Sequence, residues 1–183
     1  MIWFTLLIVA VALERVAELV VSQRNAAWSF ARGGVESGQR HYRVMVVLHT
    51  GLLLGALVEV WVRQPAFVPL LGWTMLALVL AAQALRWWCI TTLGTHWSTR
   101  VIVTPGSKRV TSGPYRYLAH PNYLAVVVEG FALPLVRSAW ITALVFTLCN
   151  AALLTVRIGV ENRALETMPV PEATGPPAAE ATP

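Results

Sequence analysis

Aspartate is absent from this 183-residue chain, lysine occurs once (Lys108), and charged residues of all kinds make up only 13%. A soluble domain carries about 25%, and roughly half that supply cannot clothe a wet surface. This excludes a soluble globular enzyme, a disordered chain and a nucleic-acid module. Cysteine is nearly as scarce. Cys89 and Cys149 both sit in apolar runs, without CxxC or Cys/His spacing. Nothing supports a disulfide between them, the redox compartment is not legible, and no metal site is expected. The N-terminus lacks a basic stretch ahead of its apolar run, so the first helix is read as retained, not as a cleaved signal. Solenoid-type or inverted repeats are also missing, which argues against a repeat array or a transporter.

What the chain has in quantity is apolar residues, 56% of the total, with a mean hydropathy of +0.61. Lipid is the solvent such a chain needs. A span takes about 20 mostly apolar residues, and five candidates appear, over residues 2–22, 44–62, 67–88, 122–136 and 139–160. Only Arg137 and Ser138 separate the last two, which predicts a tight helical hairpin. The expected fold is an all-α integral membrane protein of five transmembrane helices, forming one domain over residues 1–166. Residues 169–183, rich in Pro, Ala, Glu and Thr without periodicity, are expected to be a disordered tail.

The net charge is +5, and its placement tells more than its size. Arg24, Arg32, Arg40 and Arg43 lie between the first two spans, and Arg100, Lys108, Arg109 and Arg116 between the third and fourth. Arg157 and Arg163 follow the last. The other connections hold one arginine each, Arg63 and Arg137. The positive-inside rule then puts the N-terminus outside and the C-terminus in the cytoplasm, in a plasma or bacterial inner membrane.

The cytoplasmic connection from about Thr92 to His120 is too long and too rich in Trp, Val, Ile and Tyr to be a linker. Residues 99–103 alternate as a short strand, residues 104–107 read as a turn, and residues 108–111 are placed as a returning second strand. A folded cap on the membrane face is expected. Pro121 suits a helix first turn, so the fourth span begins there with His120 at its cap. The free N–H groups of that helix end seat a carboxylate or phosphate. The plainer account of the same residues is a proline helix start flanked by an interfacial belt of Tyr115, Tyr117 and Tyr123. Arg157 and Glu161 share one helix face at i,i+4, which by itself is also what a simple helix-end salt bridge looks like.

The string GPYRYLAHPNY, preceded by LG-x-x-W-S-T-R-x-x-V-x-P-G, resembles the isoprenylcysteine carboxyl methyltransferase family, relatives of the phospholipid methyltransferases. The resemblance covers residues 85–165. The pattern Glu14-Arg15-x-x-Glu18 through Arg24-Asn25, Gly33-Gly34 and His41-Tyr42 is similar to a bacterial branch whose members include enzymes methylating long-chain alkylpyrones made by type III polyketide synthases. What the resemblance implies is an enzyme using S-adenosylmethionine. Tyr115, His120, Pro121, Tyr123 and Glu161 carry over as cofactor contacts, and Arg157 as the residue near the reacting oxygen. Asn162 stands where the family has a second acid, so it is placed with the cofactor contacts and its role is open.

The reagent sets the remaining expectations. An activated methyl donor requires alignment and exclusion of water. A carboxylate or acidic enol is already ionised near neutral pH, so no strong base is needed, and a cation such as Arg157 or Arg116 would hold the oxyanion. The expected partners are a lipophilic small molecule and membrane lipid, with no nucleic acid and no metal. Open beside this reading are methyl transfer to nitrogen in a phospholipid headgroup, an NADPH-dependent sterol-type reductase, and a non-enzymatic scaffold or transporter. Ionisable residues inside spans are costly. Glu14, Glu18, His49, Arg86 and Glu129 are therefore expected to be paired, with Glu129 pairing Arg86 or lining a substrate cavity, and Glu59 to reach headgroups. His41 and His96 are loop candidates for ligand contact.

Overall fold

The computed structural model describes residues 1–166. Five helices follow in order: α1 Ile2–Phe30, α2 Gln39–Arg63, α3 Pro69–Leu93, α4 Pro121–Leu135 and α5 Trp140–Glu166. Two short strands, β1 Val35–Ser37 and β2 Val101–Val103, lie in the connections. The expected tail over residues 169–183 lies outside the described residues. Among the helices, His41–Arg63, Pro69–His96 and Trp140–Glu166 are long and apolar enough to cross a membrane. α1 has the length but carries Glu14, Arg15 and Glu18. α4 has 15 residues and reaches about 22 Å at 1.5 Å per residue, against about 30 Å of hydrocarbon. Three of the five expected spans thus have the length and composition to cross, and two do not reach both criteria.

Sequence explains the helix ends. Pro69 and Pro121 open α3 and α4, where a missing N–H is harmless. Between α4 and α5 the chain reverses at Ser138, in a left-handed conformation (φ 55°), giving the tight hairpin that the two-residue gap required. Gly130 lets these helices touch: a Cβ there would lie 1.9 Å from the Phe146 ring.

Side chains form layers along the bundle. At the end far from the long connection sits a dry core of Phe4, Ile8, Val11, Ala56, Val60, Val79, Leu133 and Val136. The next layer is charged. Arg15 reaches from α1 to Glu18 (2.8 Å) and across to Gln83 of α3 (2.7 Å). Arg86 bonds Glu129 and lies 3.5 Å from Glu18, while Glu14 accepts from Trp87 (2.6 Å) and Gln83. Meanwhile Ile2, Leu6, Val9, Leu13, Val16 and Val20 of α1 face outward. Charges in and hydrocarbon out is the reverse of a water-soluble helix.

Two expectations need correction. Glu59 does not reach headgroups: it is buried and accepts from Ile141 N (3.1 Å), Thr142 N (2.8 Å) and the Thr142 hydroxyl (2.8 Å). A carboxylate there satisfies the orphan N–H groups and positive end of α5, which headgroup exposure would leave bare. The strand over Val101–Val103 does not pair with residues 108–111. It pairs antiparallel with β1, Val35 opposite Val103 and Ser37 opposite Val101. The partner comes from a remote loop because Gly34 lets the chain pass close: a Cβ there would meet Ser29 O at 2.7 Å and Ile102 at 3.0 Å. Residues 108–111, left free, line a cavity instead.

Candidate active site

The end of the bundle that holds the long connection is built by four chain segments. The end of α1 braces the connection: Asn25 donates to the carbonyls of Gly94 (2.9 Å) and Trp97 (2.7 Å), and Ser22 accepts from Thr99 N (3.0 Å). α4 starts beneath it at Pro121, with the carbonyl of His120 closing the first turn onto Tyr123 N (3.1 Å). The C-terminal turns of α5 bring Arg157, Glu161 and Asn162 alongside.

Tyr123 is the centre of the cluster. Its hydroxyl donates to Glu161 and accepts from Arg157 Nε (3.0 Å). Arg157 and Glu161 are therefore not a simple i,i+4 pair but are joined through a phenol from another helix. The remaining Arg157 donors go to the carbonyl of Thr99 and to the sulfur of Met45 (3.2 Å). The imidazole of His120 stacks on Tyr123 (5.4 Å between centroids, 28°). Its Nε2 donates to Asn162 Oδ1 (2.8 Å), and its Nδ1 lies 3.5 Å from Glu161. Glu161 beside it, bonding the imidazole, holds His120 protonated to higher pH than an ordinary histidine. Burial pushes the Tyr115 phenol, which bonds the Cys89 thiol, above its usual range and keeps it a neutral donor. Both cysteines are free thiols.

Two cavities meet at this cluster. The outer one, about 280 Å³, lies under the connection and is walled by Val101, Val103, Tyr115, His120 and Glu161. The inner one, about 160 Å³, runs among the helices between Met45, His49, Val126 and Leu153, down to Arg86 and Glu129. Trp97, Asn122, Tyr123 and Arg157 line both. Glu129 thus both pairs with Arg86 and lines a cavity.

Of the residues expected at a site, Tyr115, His120, Tyr123, Arg157 and Glu161 all line the outer cavity. Pro121 sets the helix start, and Asn162 touches the site only through His120. Arg116 is not brought in. It is exposed at the end of the 3-10 turn Gly113–Arg116, with its guanidinium 6.0 Å over the Tyr117 ring, because that turn aims Tyr115 inward and the next residue outward. His96 lines the outer cavity, whereas His41 lies in the first turn of α2 and lines neither of these two. Sequence reasoning missed Met45, Thr99, Asn122 and Asn150. Thr99 acts through its carbonyl, which no side-chain pattern announces. Asn150, a lone amide in the apolar run of α5, was a signal passed over.

Among the described residues no group of His, Cys and Glu is placed to hold a metal. The model of the isoprenylcysteine carboxyl methyltransferase (ICMT) family matches residues 74–167, which include α4, α5 and the long connection. The uncharacterized protein YpbQ of Bacillus subtilis is 35% identical over 167 residues, covering 89% of this chain and 96% of its own. An uncharacterized protein of Haemophilus influenzae is 27% identical over 154 residues, 82% of this chain and 88% of its own.

Proposed function

This chain belongs to the isoprenylcysteine carboxyl methyltransferase family, a family of membrane methyltransferases, and from that premise we propose that it transfers a methyl group from S-adenosylmethionine to an oxygen of a lipophilic, membrane-resident acceptor. The observation that carries the reading is the meeting, at a shared wall of four side chains, of an outer cavity lined by both polar and apolar groups and a more apolar inner one. A bisubstrate transfer needs such a junction, because donor and acceptor must touch at one point and differ everywhere else.

The outer cavity suits the cofactor. An amphiphilic cation needs apolar shelves, a carboxylate and hydrogen-bonding groups, and the wall offers Val101 and Val103, Glu161, and the Tyr115 and His120 side chains. Asn122 Oδ1, buried on the shared wall without a hydrogen-bond partner, is a further acceptor. When bound, S-adenosylmethionine supplies a methyl group already activated on a sulfonium. The chain's own residues do the rest. Glu161, fixed by Tyr123 and His120, turns its carboxyl group to the outer cavity. Arg157 presents toward the inner cavity an N–H held only by the Met45 thioether, a weak acceptor. An acceptor oxyanion replaces that sulfur with a charge-assisted hydrogen bond. Trp97, 3% exposed, helps keep water from the junction, and no general base is required for an oxygen that is already ionised.

All five helices are proposed as spans, α4 crossing only with the help of its neighbours and α1 with its charges turned inward. The gathering of Arg24, Arg32, Arg100, Lys108 and Arg109 at the site end supports a cytoplasmic site and an outside N-terminus.

The test is thermal protection of the detergent-purified chain. S-adenosylmethionine or its demethylated product should raise the midpoint, and Glu161→Ala should abolish the rise. Protection by NADPH alone would overturn methyl transfer in favour of a reductase, and protection by neither would leave a scaffold. A labelled methyl group should then pass from donor to a lipid extract.

A further inference from the structure

The inner cavity is not one that a hydrocarbon tail alone would fill. Besides Val126, Leu52 and Leu153, its wall carries Asn150, His49 and the charged layer. Buried polar atoms almost always find a hydrogen-bond partner. Asn150 is 3% exposed, yet its Oδ1 has none. His49 commits Nδ1–H to the carbonyl of Met45 (2.8 Å), which leaves Nε2 as an acceptor. The same helix, α5, carries Asn150 and Arg157 about two turns apart, and Phe146 one turn away packs its edge on His49 (5.4 Å).

Charge sets what this second polar locus can receive. Arg15 and Arg86 already lie within 3.5 Å of Glu14, Glu18 and Glu129, two cations against three carboxylates. The cation on the inner wall that has no carboxylate beside it in this cavity is Arg157, whose Nη1 rests on sulfur. A second negative charge on a ligand would enter a layer whose two cations are already paired, and would lose its hydration with no partner gained.

We propose that the acceptor has a two-point head: an oxyanion that meets Arg157 and, deeper, a neutral hydrogen-bond donor (an amide N–H or a hydroxyl) that meets Asn150 Oδ1 or His49 Nε2. The inference rests on the methyl-transfer reading and adds the class of acceptor to it. Simple fatty acids lack the second point. A phospholipid with two anionic groups brings a second negative charge to this layer. Asn150 and His49 are then specificity-determining residues, which explains why an amide persists where leucine would pack without an unsatisfied atom.

The experiment uses the full chain in detergent, saturated with the demethylated cofactor. Three probes of matched chain length compete: a fatty acid, an N-acylglycine, and a 3-hydroxy fatty acid. At least one two-point probe should bind about tenfold or more tighter than the fatty acid, the effect of one buried hydrogen-bond partner gained or lost. Asn150→Leu should erase that preference while leaving the thermal midpoint unchanged or raised, and His49→Phe should reduce it independently. Cofactor affinity should be unaffected by either change. Equal binding of all three probes, binding of none, or a preference that survives both substitutions overturns the two-point head. Failure of the cofactor product to bind overturns the methyl-transfer reading instead, so the two failures are told apart.

Discussion

Arg157 makes directional contacts with Tyr123, Thr99 and Met45 at once, and a lysine has one point charge with which to replace them. Arg157→Lys is therefore expected to fold and to lose methyl transfer by about a hundredfold or more, since fork geometry and not charge is what is removed. Tyr123→Phe takes away a single hydroxyl but leaves both Arg157 Nε and Glu161 short of a partner. With about 1–3 kcal/mol for each unsatisfied buried group, transfer should fall at least tenfold while the aromatic stack on His120 survives. Steady-state rates of the two variants check this, and near-normal turnover in Tyr123→Phe would remove the hydroxyl from the site. His120 faces Glu161 and Asn162, stacks on Tyr123, and feels Arg109 as an opposing charge. Its native pKa is raised, chiefly by the hydrogen bond to Glu161. A raised value means its stabilising contribution is complete below the ordinary imidazole pKa of about 6.5 and is lost as pH rises through the native value. The midpoint difference between the parent chain and His120→Gln should accordingly shrink as pH climbs from about 5.5 to 8.5. A flat difference would mean the imidazole is neutral throughout. Much of the candidate cluster was legible at this scale: the string GPYRYLAHPNY marked His120 and Tyr123, the i,i+4 spacing marked Arg157 and Glu161, and the structure brings the four together. What stayed hidden was how they connect, because Tyr123 joins Arg157 to Glu161 only once two helices pack.

Glu59 shows how an element can depend on a residue from elsewhere. Its carboxylate on α2 takes the first N–H groups of α5, so capping here is tertiary, and no Ser-x-x-Glu pattern near Trp140 foretold it. Glu59→Ala should destabilise the chain by about 1–2 kcal/mol, the range for losing a helix cap, without changing transfer by the folded fraction. An unchanged denaturation midpoint would show that water satisfies those N–H groups instead. The helices themselves were readable because apolar runs of span length have few other solutions. Their ends were less so: α1 runs on to Phe30 and α3 to Leu93, past the last apolar stretch, since polar turns outside the hydrocarbon still gain intrahelical hydrogen bonds. The strand pair was half legible. The alternation at Val101–Val103 was real, but its partner at Val35–Ser37 is 66 residues away in register and was beyond any local pattern.

At the scale of the whole molecule, scarce charge is arranged with depth: a dry core, an ion-paired layer, the Arg157 junction, and the basic connection above it. The two cavities share Trp97, Asn122, Tyr123 and Arg157, so filling one is expected to change how the other is filled. A ligand in the outer cavity fixes Tyr123 through Glu161, and with it the guanidinium that the inner ligand must meet. A ligand on Arg157 fixes the same phenol from the other side. Ordering done once need not be done again, so the second ligand binds a more prepared wall. Linkage then demands reciprocity: the demethylated cofactor should tighten acceptor binding by the same factor as the acceptor tightens cofactor binding. Couplings of about 1–3 kcal/mol, or roughly 5–150-fold, are typical. Titrating each ligand with and without a saturating amount of the other measures both factors. Tyr123→Phe should bring both toward unity together, because the hydroxyl is what links Glu161 to Arg157. Coupling that survives this change would have to travel through Trp97 or Asn122, and the absence of coupling in the parent chain would separate the cavities into two unrelated sites.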